Sequence, residues 1–259
     1  DMSKVTNVSL AGKDVTKITD ATTSEVLWEK AQIEDVAYYL DQDVVGENNE
    51  TYTATTLYFF GHKVQALEDA VTAGTAYKYS WANTGTDEPP WYSKLSSVTY
   101  PCTKIVFDES AKRVKPTSCY HWFYNFINCN QIDGVANLDT SSVTNMDSMF
   151  SGFAYSATTP PTLDLSSWDT SSVTNMGGMF YQFAYSATTP PTLDLSAWDT
   201  SSVTNMSGMF YGFARSATAP PTLDLSAWDT SSVTYMPIMF QDCAYNATTP
   251  PTLDLSAFD

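Results

Sequence analysis

Thr162-Leu-Asp-Leu-Ser-Ser-Trp-Asp-Thr-Ser-Ser-Val-Thr-Asn-Met-Gly-Gly-Met-Phe180 returns with few changes at 192–210 and 222–240, and starts once more at Thr252, each time 30 residues on. Self-similarity at a fixed period of this size signals stacked repeats, each burying its apolar face against its neighbours. Within one copy, Leu163 and Leu165 alternate with Thr162, Asp164 and Ser166, the pattern of a strand with one face inward. Apolar positions follow at Trp168, Val173, Met176, Met179, Phe180 and Phe183. From Met176 their spacing predicts one face of a short helix. Gly177-Gly178 weakens such a helix by ~1 kcal/mol per glycine, so a 3₁₀ turn is the alternative. Pro190-Pro191 ends any helix and holds the chain extended into the next strand.

Upstream of the regular copies, Cys119-Tyr-His-Trp-Phe-Tyr-Asn-Phe126 takes the place of the later Met-x-x-Met-Phe segment. Phe123 and Phe150 are 27 residues apart, whereas Phe150, Phe180, Phe210 and Phe240 are 30 apart. An irregular first coil suits a terminal cap. Before it, strands are expected at 53–60, 76–81, 98–100 and 105–107, a short helix or loop excursion at 64–71, and a loop at 83–90. Strand candidates at 5–10, 15–18 and 26–28, with a turn at 12–14, differ in texture from the rest of the chain. Three regions result: a small N-terminal β module at 1–31, a mixed β-rich leader or cap at 32–104, and a repeat region at 105–259. The last has irregular coils at 105–132 and regular repeats at 133–259.

The pattern L-D-L-S-x-W-D-T-S-S-V-T-N-M-x-x-M-F resembles the BspA-like leucine-rich-repeat surface proteins, including a repeat described as a domain of unknown function in mycoplasmas and gut bacteria. Leu57-Tyr-Phe-Phe60, Pro90-Trp-Tyr-Ser93, Ile105-Val-Phe-Asp-Glu-Ser110, Lys115-Pro-Thr-Ser118 and Trp122-Phe123 carry the likeness into the leader, so it spans roughly 50–259. Trp168 belongs to this pattern, although leucine-rich repeats in general carry Asn or Cys after the L-x-L strand; the departure is the return segment Phe-Ala-Tyr-Ser-Ala-Thr-Thr-Pro-Pro-Thr, a few residues longer than in relatives. Repeat and resemblance together give the expected fold class. It is an α/β repeat protein, a right-handed leucine-rich-repeat-like solenoid with one short strand and one short helix or 3₁₀ turn per coil, behind a β-rich N-terminal region. The resemblance implies a binding module at the cell surface or secreted, and assigns no ligand residues. Val5-Thr-Asn-Val-Ser-Leu-Ala-Gly-Lys-Asp-Val-Thr-Lys-Ile18 with Val26-Leu-Trp28 is similar to short N-terminal modules of phage tail-associated proteins, which implies virion attachment as an alternative.

Composition narrows the partners. With 29 acidic and 12 basic residues the net charge is −17, which disfavours nucleic acid and anionic membrane surfaces. The charge serves solubility, or a cation or basic partner. No apolar run reaches the ~18 residues of a membrane span. The first 25 residues lack a signal-peptide pattern, so either a leader has been removed ahead of Asp1 or Met2 is the natural start. Cys102, Cys119, Cys129 and Cys243 show no zinc spacing. Cys243 falls in the register of Phe153, Phe183 and Phe213 and reads as a small core residue; Cys119 and Cys129 are the candidate bridge.

No nucleophile-elbow, P-loop or H-E-x-x-H pattern occurs, and His62 and His121 are the only histidines. The expectation is therefore no enzyme and no cofactor. Asp164, Asp194, Asp224 and Asp254 should form one column, and Asp169, Asp199, Asp229 and Asp259 another. Between Pro161 and Asp259 nine acids meet one base, Arg215. Carboxylates ~5 Å apart repel, so calcium at Asp164, Asp194 and Asp224 is one reading; Asx turns and solvation are the other. The repeats differ most at outward positions: Asn145, Asn175, Asn205 and Tyr235; Tyr155, Tyr185, Arg215 and Tyr245; and, just before these, Tyr181 and Tyr211. The candidate ligand strip is thus Tyr155, Tyr185, Arg215, Tyr245, Tyr181 and Tyr211, with Asp164, Asp194 and Asp224. Neutral drift of solvent-facing positions explains the same variation. The half repeat at the C-terminus presents an unprotected strand edge, which predicts a longer array or a covering partner subunit. The expected function is a non-enzymatic extracellular binding or adhesion module of a bacterial surface protein, its ligand a host or microbial protein or glycan. The alternative is a phage tail or receptor-binding protein of a virion.

Overall fold

The computed structural model describes residues 17–19, 26–29, 35–46, 49–81, 88–95, 102–251, 253, 255 and 258. The chain divides into two compact units, Asp1–Ile33 and Glu34–Asp259. In the first, β1 (Lys17–Thr19) pairs antiparallel with β2 (Val26–Glu29). The strand expected at 5–10 and the turn at 12–14 lie outside the described residues, as do the strand expected at 98–100, most of the 83–90 loop, and Asp254 and Asp259.

The second unit opens with β3 (Val36–Leu40), β4 (Val44–Val45), β5 (Thr51–Tyr52) and β6 (Thr56–Phe60). Helix α1 (Gln65–Ala73), β7 (Ala76–Ser80), α2 (Tyr92–Leu95), β8 (Lys104–Phe107) and β9 (Gln131–Asp133) come next. Five of these strands make one sheet in the order β7-β3-β6-β8-β9. β3 is antiparallel to β6 and β7, while β6–β8 and β8–β9 are parallel. Residues 104 and 105 are neighbours within β8, so the leader and the first coil share this sheet. β3 and β6 are buried throughout, and apolar or aromatic but for Thr56, because both faces are covered. On one face Val36, Tyr38, Leu40, Tyr58 and Phe60 pack with Leu67 and Ala70 of α1. Gly74 closes α1 in the left-handed region (φ +79°), its N–H bonding back to the last turn. On the other face Phe59 lies 5.3 Å from both Trp81 and Trp91, 4.6 Å from Phe107 and 5.8 Å from Trp122, between ring centroids. This aromatic cluster runs without a break into the core of the repeats.

The repeats correct the expected fold class. The described residues form small mixed sheets with few helices, not an α/β leucine-rich-repeat-like solenoid with a helix or 3₁₀ turn in each coil. No helix of either kind occurs between 138 and 251 among the described residues. Among the described residues of the regular repeats the strands are reduced to β10 (Thr162–Asp164) and β11 (Thr192–Asp194), parallel and in 30-residue register, and the third copy at 222–224 forms none. The reason lies in where the backbone donors go. The N–H groups of Met176, Gly178, Phe180 and Gln182 bond carbonyls of the next repeat at 2.7–3.0 Å. Those of Met179, Tyr181 and Phe183 bond the carbonyl three residues back at 2.9–3.3 Å. With alternate donors committed to a neighbour, no i→i−4 ladder can form. Turns three residues apart still carry Met176, Met179, Phe180 and Phe183 inward, so a helix-like apolar spacing arises without a helix. The alternation drives Gly178, Gln182 and Ala184 to φ of +50° to +57°.

Successive copies stack like on like. Phe150, Phe180, Phe210 and Phe240 lie 5.5–5.7 Å apart, and Trp168, Trp198 and Trp228 lie 6.3–6.4 Å apart, all near-parallel. Each Trp Nε1 donates to a carbonyl of the preceding copy: Val135, Leu165 and Leu195, at 3.2–3.3 Å. Buried Thr140, Thr170 and Thr200 donate to Asp169, Asp199 and Asp229 carbonyls at 2.9 Å, so the polar atoms inside the stack are paired. Phe180→Ala is expected to lower unfolding free energy by ~3–5 kcal/mol, because its cavity opens between two stacked rings. Tyr185→Ala at the surface should cost under ~1 kcal/mol. Denaturant unfolding of the two variants beside the parent checks the contrast.

Candidate functional site

The inter-repeat ladder fixes the outward positions as firmly as the core. Gly152 N–H bonds Tyr181 O and Gln182 N–H bonds Tyr211 O, each at 2.7 Å, so Ser151, Tyr181 and Tyr211 align in one column. Asn125 N–H bonds Ser151 O at 2.7 Å, which adds Tyr124 of the irregular first coil. Tyr181 and Tyr211 stack at 4.6 Å with 7° between planes. One turn on, Tyr155 and Tyr185 stack at 4.6 Å and 12°. The Arg215 guanidinium takes the next place, 5.5 Å from the Tyr185 ring and 4.5 Å from the Tyr245 ring. Its Nε is 3.7 Å from Asp242 Oδ2. This half-exposed pair orients the guanidinium more than it stabilises the fold. The two columns adjoin: a Cβ on Gly212, the residue after Tyr211, would lie 3.2 Å from Gln182 Cγ and 3.5 Å from the Tyr185 ring. Burial pushes the Tyr181 hydroxyl up in pKa, with Tyr211, Tyr124 and Tyr185 adding to the shift. Tyr155, Tyr185, Arg215, Tyr245, Tyr181 and Tyr211 thus share one surface.

Asp164, Asp194 and Asp224 stand elsewhere. Asp194 and Asp224 border a surface depression with Pro190, Pro191, Thr192, Leu193 and Thr222, and none of the tyrosines enters it. Each carboxylate in this column accepts the N–H and hydroxyl of the serine two residues on, Ser166, Ser196 or Ser226, at 2.6–3.1 Å. Asp169 and Asp199 repeat the motif with Ser171 and Ser201, and Asp229 accepts Ser231 N–H. These are Asx turns in both columns. The serine hydroxyl first, and its N–H second, hold the Asp164, Asp194, Asp199 and Asp229 carboxyls below the usual range. Repulsion from Asp164 acts against this lowering at Asp194 without reversing it. Among the described residues no three His, Cys, Asp or Glu side chains gather to hold a metal.

Two features escaped the sequence reading. His121, at φ +55°, is stacked on Tyr120 (3.9 Å) and Tyr124 (4.5 Å), with Nδ1 2.8 Å from Glu88 Oε2. Tyr92 lies 5.7 Å from Tyr124, extending the aromatic surface onto the first coil. The 27-residue step from Phe123 to Phe150 was the available signal, since it sets Tyr124 in register with Tyr181 after one irregular coil. The second is the role of Asn145, Asn175 and Asn205, expected among the freely varying positions. Their side chains cap the following turn, and Asn205 Nδ2 bonds Asn175 Oδ1 at 3.0 Å, so they form a structural ladder. Tyr235 ends it and is 59% exposed.

The depressed aspartate pKa values set the sign of an acid effect. A carboxyl whose folded pKa lies below its unfolded value near ~3.9 stabilises the fold above that pH, and the contribution fades as pH falls through the folded values. Stability should therefore decline as pH falls below about 4, read by thermal melts across that range. Ser201→Ala should raise the Asp199 carboxyl pKa while leaving Asp164 unmoved, as read by NMR titration of the side-chain carboxyl carbons.

A sequence-family model described as "Mycoplasma protein of unknown function, DUF285" matches residues 117–247. No curated protein and no solved structure matches the chain.

Proposed function

Because the chain belongs to the family described as Mycoplasma protein of unknown function, DUF285, we propose that it is a non-enzymatic binding module at a bacterial cell surface, as in BspA-like surface proteins. Its ligand is an extracellular protein or glycan of host or microbial origin, held on the tyrosine and arginine strip. One observation carries the reading: Arg215 sits in the Tyr155, Tyr185 and Tyr245 column and lies over the last two rings. Stacked neighbours hold these side chains in place before any ligand arrives, so little rotamer entropy remains to be lost on binding. Tyrosine supplies broad amphipathic contact, and arginine adds a directed donor fork. Phage tail attachment is the second reading, supported by the separate compact unit at Asp1–Ile33, which would then dock to a particle.

The test is an array of glycans and extracellular proteins, followed by titration of each ligand found. Tyr185→Ala, Arg215→Ala and Tyr245→Ala should each weaken binding by about tenfold or more, the range of side chains that anchor an interface, with circular dichroism unchanged. Asp194→Asn, outside the strip, should bind as the parent does. Equal affinity in all variants would place the ligand elsewhere, and product release from an arrayed glycan would overturn the non-enzymatic reading.

A further inference from the structure

All four cysteines are free thiols, Cys119 and Cys129 among them. Cys119, the expected partner of Cys129, has its thiol pushed up in pKa by burial alone. Cys102 is the neighbour of Cys129. β8 and β9 run in parallel with Lys104 beside Gln131 and Ile105 beside Ile132. Cys102 and Cys129 each stand two residues before that first pair, at the same offset on adjacent chains. Their thiols point alike: Cys102 Sγ donates to Lys104 O at 3.2 Å and Cys129 Sγ to Gln131 O at 3.7 Å. The Cys102 thiol also adds to the upward shift of the Cys129 thiol. Both are buried and both are free thiols in this structure. Adjacent strands lie ~4.8 Å apart, inside the ~4.4–6.8 Å Cα separation that a disulfide spans.

We propose that Cys102 and Cys129 form a disulfide under oxidising conditions, tying the strand end before β8 to the one before β9 and closing the irregular first coil into a covalent ring. The oxidant is a small-molecule disulfide, RSSR. One cysteine loses its proton and attacks RSSR, forming a mixed disulfide and releasing one thiolate. The second cysteine, deprotonated in turn, displaces the other. One RSSR and two protein thiols thus yield the bond and two RSH, each carrying one of the protons. Burial raises the Cys129 thiol well above its ordinary pKa, so exchange belongs to folding, before the first coil closes over the pair. The ring encloses Trp122 and Phe123, which join the leader's aromatic cluster to the repeats. The inference is independent of the proposed ligand.

The experiment refolds the reduced full chain with glutathione disulfide and glutathione. Unreacted thiols are then blocked with a maleimide under denaturing conditions. The refolded chain should be about 2 Da lighter than the reduced one before blocking, with two maleimide adducts, and a non-reducing peptide map should join the Cys102 and Cys129 peptides. Its melting temperature should exceed that of the reduced protein by on the order of 5 °C. Cys119→Ser should keep the crosslink. Four maleimide adducts on a chain refolded to native circular dichroism, or a Cys119–Cys129 peptide in the map, would overturn the proposal. The peptide map uses the parent sequence, so it decides the question even where a cysteine variant fails to fold.

Discussion

The alternating destination of backbone donors in each repeat is the constraint on which the rest of the structure depends. Every second N–H between Met176 and Gln182 crosses to the next copy, and those between turn back on their own chain. A segment bonded in this way is finished only when a neighbour lies alongside, because unpaired buried donors are costly. The same pattern requires left-handed backbone at fixed places in every copy. Gly178 and Gly208 meet it without strain, whereas Ser148 and Ile238 occupy equivalent positions with φ of +54° and +53°. Ile238, β-branched and 51% exposed, is the costliest of the four.

Exact register makes the core self-similar and leaves the surface as the place for difference. A Phe ring packs on the same ring of the next copy, so changing one core residue disturbs two interfaces. The outward columns carry no such penalty, and there tyrosine, arginine, serine and glutamine replace one another. Stacking still orders them: the 4.6 Å tyrosine pairs are copies of one residue brought into contact by the period. The serine-bonded aspartates show the reverse case. They repeat faithfully because each closes a turn, and their charge comes with that local task.

The leader gives the stack a beginning. Phe59 and Phe107 of the five-stranded sheet, with Trp81 and Trp91 beside them, pack on Trp122 and Phe123, so the first coil meets an aromatic surface instead of another repeat. β8 and β9 extend the sheet toward the repeats, and Cys102 and Cys129 lie where those two chains enter it. The irregular 27-residue step is the adjustment between a sheet edge and the regular period.

By itself the sequence determined the period, the inward residues and the outward columns. Leu163, Trp168, Met176, Phe180 and Phe183 are buried as their spacing implied, and the Tyr155, Tyr185, Arg215 and Tyr245 column is assembled as the 30-residue register required. Tertiary structure alone decided that the Met-x-x-Met-Phe segment is not a helix. Apolar spacing reports which side chains point inward, and consecutive three-residue turns give the same spacing as a helix while sending their N–H groups elsewhere. It also decided which cysteines are neighbours and that Asn175 and Asn205 form a ladder. Both depend on strand register between segments distant in sequence, which local pattern does not encode.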